Sequence, residues 1–232
     1  MRWAHFHGSL PVVALAVVLG GGVGWLLQRE LATCGYRLDD DPVGRRPFHP
    51  ALVVVAVATL WGLLAWRLGA LAGWSLLPPY LVLATIGVAL VWIDVDVHRL
   101  PRGLTLPLLP VLLGQLALAS WAASDWSALR RGLICGALLW VAFLVLALLA
   151  AALRSSFGFG DVQLAGLLGL ATGYLSWWGP LVTTYAAFIL AGGYAAIRVL
   201  RRRATTKSPI AFGPWLLAGG LVAVLTEVAP IF

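Results

Sequence analysis

Long apolar runs alternate with short polar segments along the chain. Each run is about 17–22 residues long, close to what an α-helix needs to cross the hydrocarbon core of a bilayer. Backbone groups inside lipid must be hydrogen-bonded within the segment, so we read the runs as helices. The runs lie near 9–27, 51–68, 76–93, 104–123, 132–153, 162–178, 180–199 and 211–230. The pattern predicts an all-α, polytopic integral membrane protein with about eight transmembrane helices.

The composition supports this class of protein. Hydrophobic residues make up 61% of the chain and charged residues 11%, against about 25% charged residues in an ordinary soluble domain. No polar half is present, so we expect one membrane-embedded domain over 1–232. The formal net charge of +7 does not indicate nucleic-acid binding, because no soluble segment is long enough to form a basic face. The cluster Arg201–Arg203 is suited to anionic lipid headgroups.

The basic residues predict the orientation in the membrane. Twelve of the sixteen lysines and arginines lie on alternate loops between the runs. These loops are 28–50, 94–103, 154–161 and 198–210. Positively charged loops stay in the cytoplasm, so we expect both termini outside. We interpret the longest polar segment, 28–50, as a solvated connector.

Two aspartates stand at the mouths of predicted helices. Asp94 directly follows the run 76–93, and Asp161 ends the glycine-rich segment before the run 162–178. A carboxylate at the end of a membrane helix is costly and usually marks a functional site. Both aspartates are predicted on the cytoplasmic side, so they are candidates for acid–base chemistry shared by two carboxyl groups.

Three motifs stand out along the chain, namely DVDVHRLP at 94–101, GFGD at 158–161 and SPIAFGPWLLAGG at 208–220. Together they resemble the type IV prepilin peptidases, which are polytopic aspartic proteases of the GxGD type. The first motif of the family is an aspartate seven residues before a proline that follows Ile or Leu, which Asp94, Leu100 and Pro101 match. The stretch 45–69 also resembles the sequence that leads into the family's second helix.

The resemblance implies catalysis by Asp94 and Asp161. It also implies a set of residues that shape the site or bind substrate, namely Pro101, Gly158, Gly160, Phe212, Gly213 and Pro214. We expect Gly158 and Gly160 to allow unusual backbone angles and a close approach of the substrate backbone. We expect the prolines Pro101 and Pro209 to interrupt helices near the cleavage site.

The implied substrate is a prepilin-like protein with a short basic leader. Family members remove the leader at the cytoplasmic face of the plasma membrane, the prokaryotic inner membrane. The expected partners are this substrate and membrane lipids, without nucleic acid. No metal or cofactor is expected, because two carboxyl groups can divide the acid and base roles.

Two departures from the family pattern bear on function. Many members also methylate the new N-terminus and carry a larger first cytoplasmic loop, often with paired CxxC motifs. Here the loop 28–50 holds Cys34 alone, so we expect a peptidase without N-methyltransferase activity. Gln163 stands where the family often has a lysine.

Several residues have alternative interpretations. We read Asp96 as a loop carboxylate near the site, since the spacing to Pro101 favours Asp94 as the catalytic group. His98 has no neighbouring pattern of metal ligands. The glycines at 20–24 and 191–193 are expected to form helix contacts. The competing function is a membrane transporter with carboxylates along a solute or proton path, which would place charges near the middle of its helices.

Overall fold

The computed structural model of the protein describes residues 9–37, 49–69, 74–97, 99–153, 158–201 and 211–226. These residues form eight α-helices and one short 3-10 turn at Trp74–Leu76, with no β-strand among them. The helices are α1 (Leu10–Ala32), α2 (Ala51–Leu68), α3 (Leu77–Val97), α4 (Arg102–Ala123), α5 (Trp126–Ala152), α6 (Phe159–Leu175), α7 (Gly179–Leu200) and α8 (Gly213–Thr226). The all-α prediction is confirmed.

Six of these helices are long and apolar enough to cross a membrane, namely α1 to α5 and α7. The other two are shorter, with 17 residues in α6 and 14 in α8. Every predicted run therefore corresponds to a helix, and the chain is a polytopic membrane protein.

The helix ends differ from the predicted ones where polar residues occupy the terminal turns. Helix α1 continues to Ala32, so Gln28, Arg29 and Glu30 are helical. Helix α3 continues to Val97 and includes both aspartates that we had placed in a loop. An apolar run marks the part of a helix that lies in lipid, whereas the hydrogen-bonded helix extends beyond it.

The chain divides into two compact units. The first comprises Met1–Val97 and Pro107–Trp126, and the second comprises His98–Leu106 and Ser127–Phe232. The boundary falls within α4, next to Pro107, which lies inside this helix. A proline inside a helix removes one backbone hydrogen bond and favours a kink there. The expectation of one domain over 1–232 stays a prediction.

In the first unit, α1 and α2 pack closely through small residues. A β-carbon on Gly20 would lie 2.8 Å from the β-carbon of Trp61, and one on Gly24 would lie 2.9 Å from the Cα of Val54. Small residues four apart let two helix backbones approach in lipid. The predicted contact role of 20–24 is confirmed, although Gly21 and Gly22 themselves face open space.

The same expectation for 191–193 is wrong. A β-carbon on Gly192 or Gly193 would meet no atom within 4 Å, so these glycines do not mediate a helix contact among the described residues.

In the second unit, α6 is the most enclosed helix. Its buried residues extend from Asp161 to Tyr174 and include positions on every face. Glycines let α5 and α6 approach closely: a β-carbon on Gly136 would lie 3.1 Å from the carbonyl oxygen of Gly166, and one on Gly169 would lie 2.9 Å from that of Cys135. A helix that is apolar all round is buried by its neighbours.

Arg131 of α5 caps the far end of α6. Its guanidinium donates hydrogen bonds to the carbonyl oxygens of Gly173 at 2.8 Å, Leu175 at 3.0 Å and Tyr174. A cation at a helix C-terminus satisfies carbonyls that have no intrahelical donor and offsets the negative end of the helix dipole. Arg131, which directly precedes the predicted run 132–153, therefore anchors α6 to α5.

Candidate active site

Asp94 lies in the last turn of α3. Its side chain is buried, with the residue 5% exposed, and the preceding residues Trp92 and Ile93 are also buried. The expectation that Asp94 follows the helix is wrong by one turn, since α3 ends only at Val97. The carboxyl is thus held by a regular helix.

Asp161 lies in the first turn of α6. Gly158 is the N-cap residue, and its carbonyl oxygen accepts the Asp161 backbone N–H at 3.0 Å. The residue is 9% exposed. An acidic side chain in the first turn interacts favourably with the unpaired N–H groups of a helix N-terminus.

Gly158 provides space for the Asp161 carboxylate. A β-carbon on Gly158 would lie 3.3 Å from Oδ2 of Asp161. The φ of Gly158 is −70°, which any residue can adopt, and Gly160 is helical. The expectation of unusual backbone angles at these glycines is therefore wrong. Their lack of a side chain leaves space for other atoms of the chain.

Gly160 brings the first two sequence motifs into contact within the second unit. A β-carbon there would lie 2.7 Å from the β-carbon of Leu100 and 3.2 Å from its Cδ1. Leu100 is the residue before Pro101 in the first motif. The glycine in GxGD thus lets the segment before α4 pack directly on the first turn of α6.

Pro101 marks the start of α4. Its carbonyl oxygen accepts the backbone N–H of Leu104 at 3.0 Å and of Thr105 at 3.3 Å. Arg99 to Pro101 are not helical, so Pro101 lies at a helix interruption as predicted. The other proline of this prediction, Pro209, lies outside the described residues.

Gln163 has a defined partner. The Thr105 hydroxyl donates a hydrogen bond to Oε1 of Gln163 at 2.9 Å, and Thr105 is buried. This bond joins the first turn of α4 to α6 two residues beyond Asp161. Gln163 therefore contributes a neutral link at the position where the family often has a lysine.

The third motif starts α8. The carbonyl oxygen of Phe212 accepts the backbone N–H groups of Trp215 and Leu216 at 3.0 and 3.1 Å. The Phe212 ring lies 5.3 Å from the ring of Phe188 and 6.2 Å from that of Phe143, centroid to centroid. Gly213 and Pro214 open the helix behind it. Phe212 thus fixes the start of α8 by aromatic packing.

Two residues near the site were missed by sequence reasoning. The guanidinium of Arg37 and the hydroxyl of Tyr36 both donate to the carboxylate of Asp96. Asp96 is therefore a helical, paired carboxylate of α3, and the expectation that it lies in a loop is wrong. No local pattern signals this pairing, because Arg37 and Asp96 lie 59 positions apart.

The pairing alters the titration of Tyr36 and Arg37. Burial, together with the hydrogen bond to Asp96, raises the pKa of Tyr36 to about 12. The hydrogen bonds that Arg37 donates to the Asp96 carboxylate also raise the pKa of Arg37. Both groups therefore keep their protons at neutral pH.

Within the described ranges, no group of three or more His, Cys, Asp or Glu residues is arranged to hold a metal ion. His98 lies outside these ranges. Cys34 and Cys135 are both free thiols.

Comparison with known proteins gives the family. Residues 81–196 match the type IV leader peptidase family. This range includes Asp94, Pro101, Gly158, Gly160 and Asp161, whereas Phe212 to Pro214 lie beyond it. The chain therefore belongs to the type IV leader peptidase family.

Curated relatives carry the name prepilin leader peptidase/N-methyltransferase. The protein of Pseudomonas aeruginosa is 34% identical over 186 residues, which cover 79% of this chain and 59% of the relative. The protein of Stutzerimonas stutzeri is 32% identical over 179 residues, which cover 75% of this chain and 57% of the relative. The protein of Aeromonas hydrophila is 33% identical over 157 residues, which cover 66% of this chain and 50% of the relative.

The matched part of the chain thus spans between half and three fifths of the length of these relatives. No solved structure matches the chain.

Proposed function

We propose that this protein is an aspartic endopeptidase that removes the short basic leader of prepilin-like proteins, with Asp94 and Asp161 as its catalytic pair. The observation that carries the proposal is the position of these carboxyl groups. Both are buried, both lie in a terminal turn of a helix, and both fall within the residues that match the leader peptidase family.

The proposed reaction uses one water molecule as the nucleophile, and the carboxyl groups of Asp94 and Asp161 share one proton. The ionised carboxyl removes a proton from water while the water oxygen attacks the scissile carbonyl carbon. The protonated carboxyl donates a hydrogen bond to the carbonyl oxygen. When the tetrahedral intermediate collapses, the C–N bond breaks and the amine leaves with a proton from the pair.

The helix ends divide these roles. Asp161 lies at the positive end of the α6 dipole and Asp94 at the negative end of the α3 dipole, and the positive end favours an anion. We therefore assign the base role to Asp161 and the proton donor role to Asp94.

Binding of uncleaved substrate by the two asparagine variants tests this assignment. Asp94→Asn imitates a protonated carboxyl, so it should bind a basic leader as the wild type does. Asp161→Asn removes a negative charge and should bind roughly tenfold less tightly, a difference of about 1.4 kcal/mol. The opposite order of affinities would reverse the assignment.

Asp96 is less suited to catalysis than Asp94. Arg37 engages both oxygens of Asp96, and Tyr36 donates to one of them. A bidentate guanidinium holds a carboxylate in its ionised form and fixes its geometry. Such a group can neither take up the shared proton nor turn towards a substrate without breaking three hydrogen bonds.

The packing of the glycines and prolines supports the site-shaping roles that we propose for them. Gly158 leaves space beside the Asp161 carboxylate, and Gly160 admits Leu100. The non-helical residues before α4 end at Pro101, where an extended substrate backbone finds no competing helix. Phe212, Gly213 and Pro214 set the start of α8. We propose that these residues shape the cleft that receives the scissile segment.

A transporter fits the structure less well. The charged residues of the described helices lie near helix ends, as with Arg29, Arg67, Asp94, Arg131 and Arg198. A solute or proton path needs ionisable groups at depth in the membrane.

We propose that the protein lies in the inner membrane of a prokaryote with the catalytic helix ends at the cytoplasmic face and both termini outside. The loops with most of the basic residues support this orientation. We also propose that it uses no cofactor and lacks N-methyltransferase activity. The segment between Ala32 and Ala51 is too short to bury a core of its own.

Mass spectrometry of one reaction mixture tests both the proposed peptidase activity and the proposed lack of N-methyltransferase activity. Purified protein in lipid is incubated with a prepilin-like substrate and S-adenosylmethionine. We expect loss of the leader and an unmethylated new N-terminus. An intact substrate, under conditions where a curated relative cleaves it, would refute the peptidase. A protein-dependent gain of one methyl group would refute only the missing methylation.

A further inference from the structure

The polypeptide turns sharply after α1 and returns towards α3 within the first unit. Cys34 has a φ of 55°, in the left-handed region that non-glycine residues adopt at a cost. Its carbonyl oxygen accepts the Arg37 backbone N–H at 3.0 Å. This closes a tight turn and presents the side chains of Tyr36 and Arg37 to the last turns of α3.

Four hydrogen bonds join this turn to α3. Arg37 donates from Nε to Oδ2 of Asp96 and from Nη2 to Oδ1, both at 2.8 Å. The Tyr36 hydroxyl donates to Oδ2 at 2.7 Å and accepts from Nε1 of Trp92 at 3.1 Å. We call Tyr36, Arg37, Trp92 and Asp96 the α3 clamp. The side chains of Arg37 and Asp96 are 18% and 5% exposed, so water competes little for these bonds.

The α3 clamp holds the same helical turn that carries Asp94. Residues two apart in a helix point to different faces, so Asp96 can be bound on one face while Asp94 is presented on another. The last turn of a helix has carbonyls without intrahelical donors and frays readily. Fixing Asp96 therefore restricts the position and rotation of Asp94.

We infer that Arg37, assisted by Tyr36, is a positioning residue for the peptidase reaction, acting through Asp96 on Asp94. The inference rests on the proposed function. Arg37 also lies outside residues 81–196, the range that matches the family. Tyr36 and Arg37 of the segment 28–50 thus hold α3, so the interpretation of this segment as a solvated connector is wrong for these two residues.

Steady-state kinetics of clamp variants test the inference. Misplacing a reacting group by less than 1 Å lowers the rate steeply, so Arg37→Gln and Asp96→Asn should each lower kcat by roughly tenfold with little change in KM. Arg37→Lys keeps the charge but loses the bidentate geometry, so its kcat should fall less than that of Arg37→Gln. The double variant should be little worse than either single one, because the pair acts as a unit.

Arg29→Gln is the matched control. Arg29 lies in the last turn of α1 and is exposed, and its Cζ lies 4.9 Å from the centroid of the Trp25 ring. Arg29 does not belong to the α3 clamp, so the kcat of Arg29→Gln should equal that of the wild type. Tyr36→Phe removes one hydroxyl and keeps the ring, so it tests the clamp if Arg37→Gln does not fold.

The outcomes separate the two proposals. Failure of the wild type to cleave would overturn the proposed function. Cleavage by the wild type, with Arg37→Gln and Tyr36→Phe as active as Arg29→Gln, would overturn the positioning role alone. A raised KM with unchanged kcat would also overturn it, because it would make Arg37 a substrate-binding residue. A selective loss of kcat, graded from Arg37→Lys to Arg37→Gln, would support it.

Discussion

A β-carbon on Gly160 would lie 2.7 Å from the β-carbon of Leu100, so the residue before Asp161 and the residue before Pro101 are in contact. Real β-carbons do not approach other atoms so closely, and no flexible side-chain end is available to move away. The two motifs therefore pack against each other only because position 160 is glycine.

Gly160→Ala should lower cleavage by roughly tenfold or more, because the first turn of α6 must shift and carry Asp161 with it. The unfolding free energy should fall by about 1–3 kcal/mol, as for overpacked sites in general. Cleavage assays and thermal unfolding measure the two effects. Gly103→Ala is the control, since its β-carbon would meet no atom within 4 Å. Equal activity of both variants would contradict the packing argument.

Thr105→Val tests the link between α4 and α6. The change removes the hydroxyl that donates to Gln163, which leaves the amide oxygen without this donor. We expect a loss of about 1 kcal/mol in stability, together with lower activity. The control is Thr184→Val, because the Thr184 hydroxyl donates to the Pro180 carbonyl of its own helix. If Thr105→Val and Thr184→Val lower stability and activity by the same small amount, the hydrogen bond between Thr105 and Gln163 does not contribute.

Arg131→Met tests the cap on α6. Three carbonyl oxygens at the end of α6 lose their charged donor, so stability should fall by about 1–3 kcal/mol. Thermal unfolding in detergent gives the measurement. Arg130 is adjacent and exposed, so Arg130→Met should leave the unfolding midpoint unchanged. If Arg131→Met and Arg130→Met have the same unfolding midpoint, the cap does not stabilise the second unit.

The helices were predictable because long apolar runs have few alternatives in a membrane protein. The predicted run 51–68 coincides with α2, which has no polar residue in its first turns. The ends of α1, α3 and α5 were misplaced because charged residues occupy their terminal turns, and hydropathy does not distinguish a polar helical turn from a loop.

The contacts that support the site were not predictable. Arg131 and Arg37 read as loop charges in the sequence, yet one caps α6 and the other holds Asp96. Such long-range polar pairs depend on how helices pack, which a local pattern does not encode. The two aspartates were found because a carboxylate beside an apolar run is costly, and that cost is visible in sequence.

Cysteine labelling tests the proposed orientation. In a background with Cys34→Ser and Cys135→Ala, we expect single cysteines at Arg99 and Arg201 to react with an impermeant maleimide only after the cytoplasmic face is opened. Single cysteines at Ser124 and Arg130 should react in intact cells. The charge bias between alternate loops gives this expectation. Labelling of position 99 from outside would place the catalytic helix ends on the other face.

Leader cleavage by single and double asparagine variants tests most directly whether Asp94 and Asp161 act as one catalytic pair. General acid–base groups commonly contribute a thousandfold or so, so Asp94→Asn and Asp161→Asn should each lower cleavage by about a thousandfold or more. The double variant should be no worse than either one, because neither carboxyl works alone. Glu30→Gln, which removes an exposed carboxylate of α1, should cleave at the wild-type rate. Substantial cleavage by either single variant, with normal protein levels in the membrane, would contradict the pair.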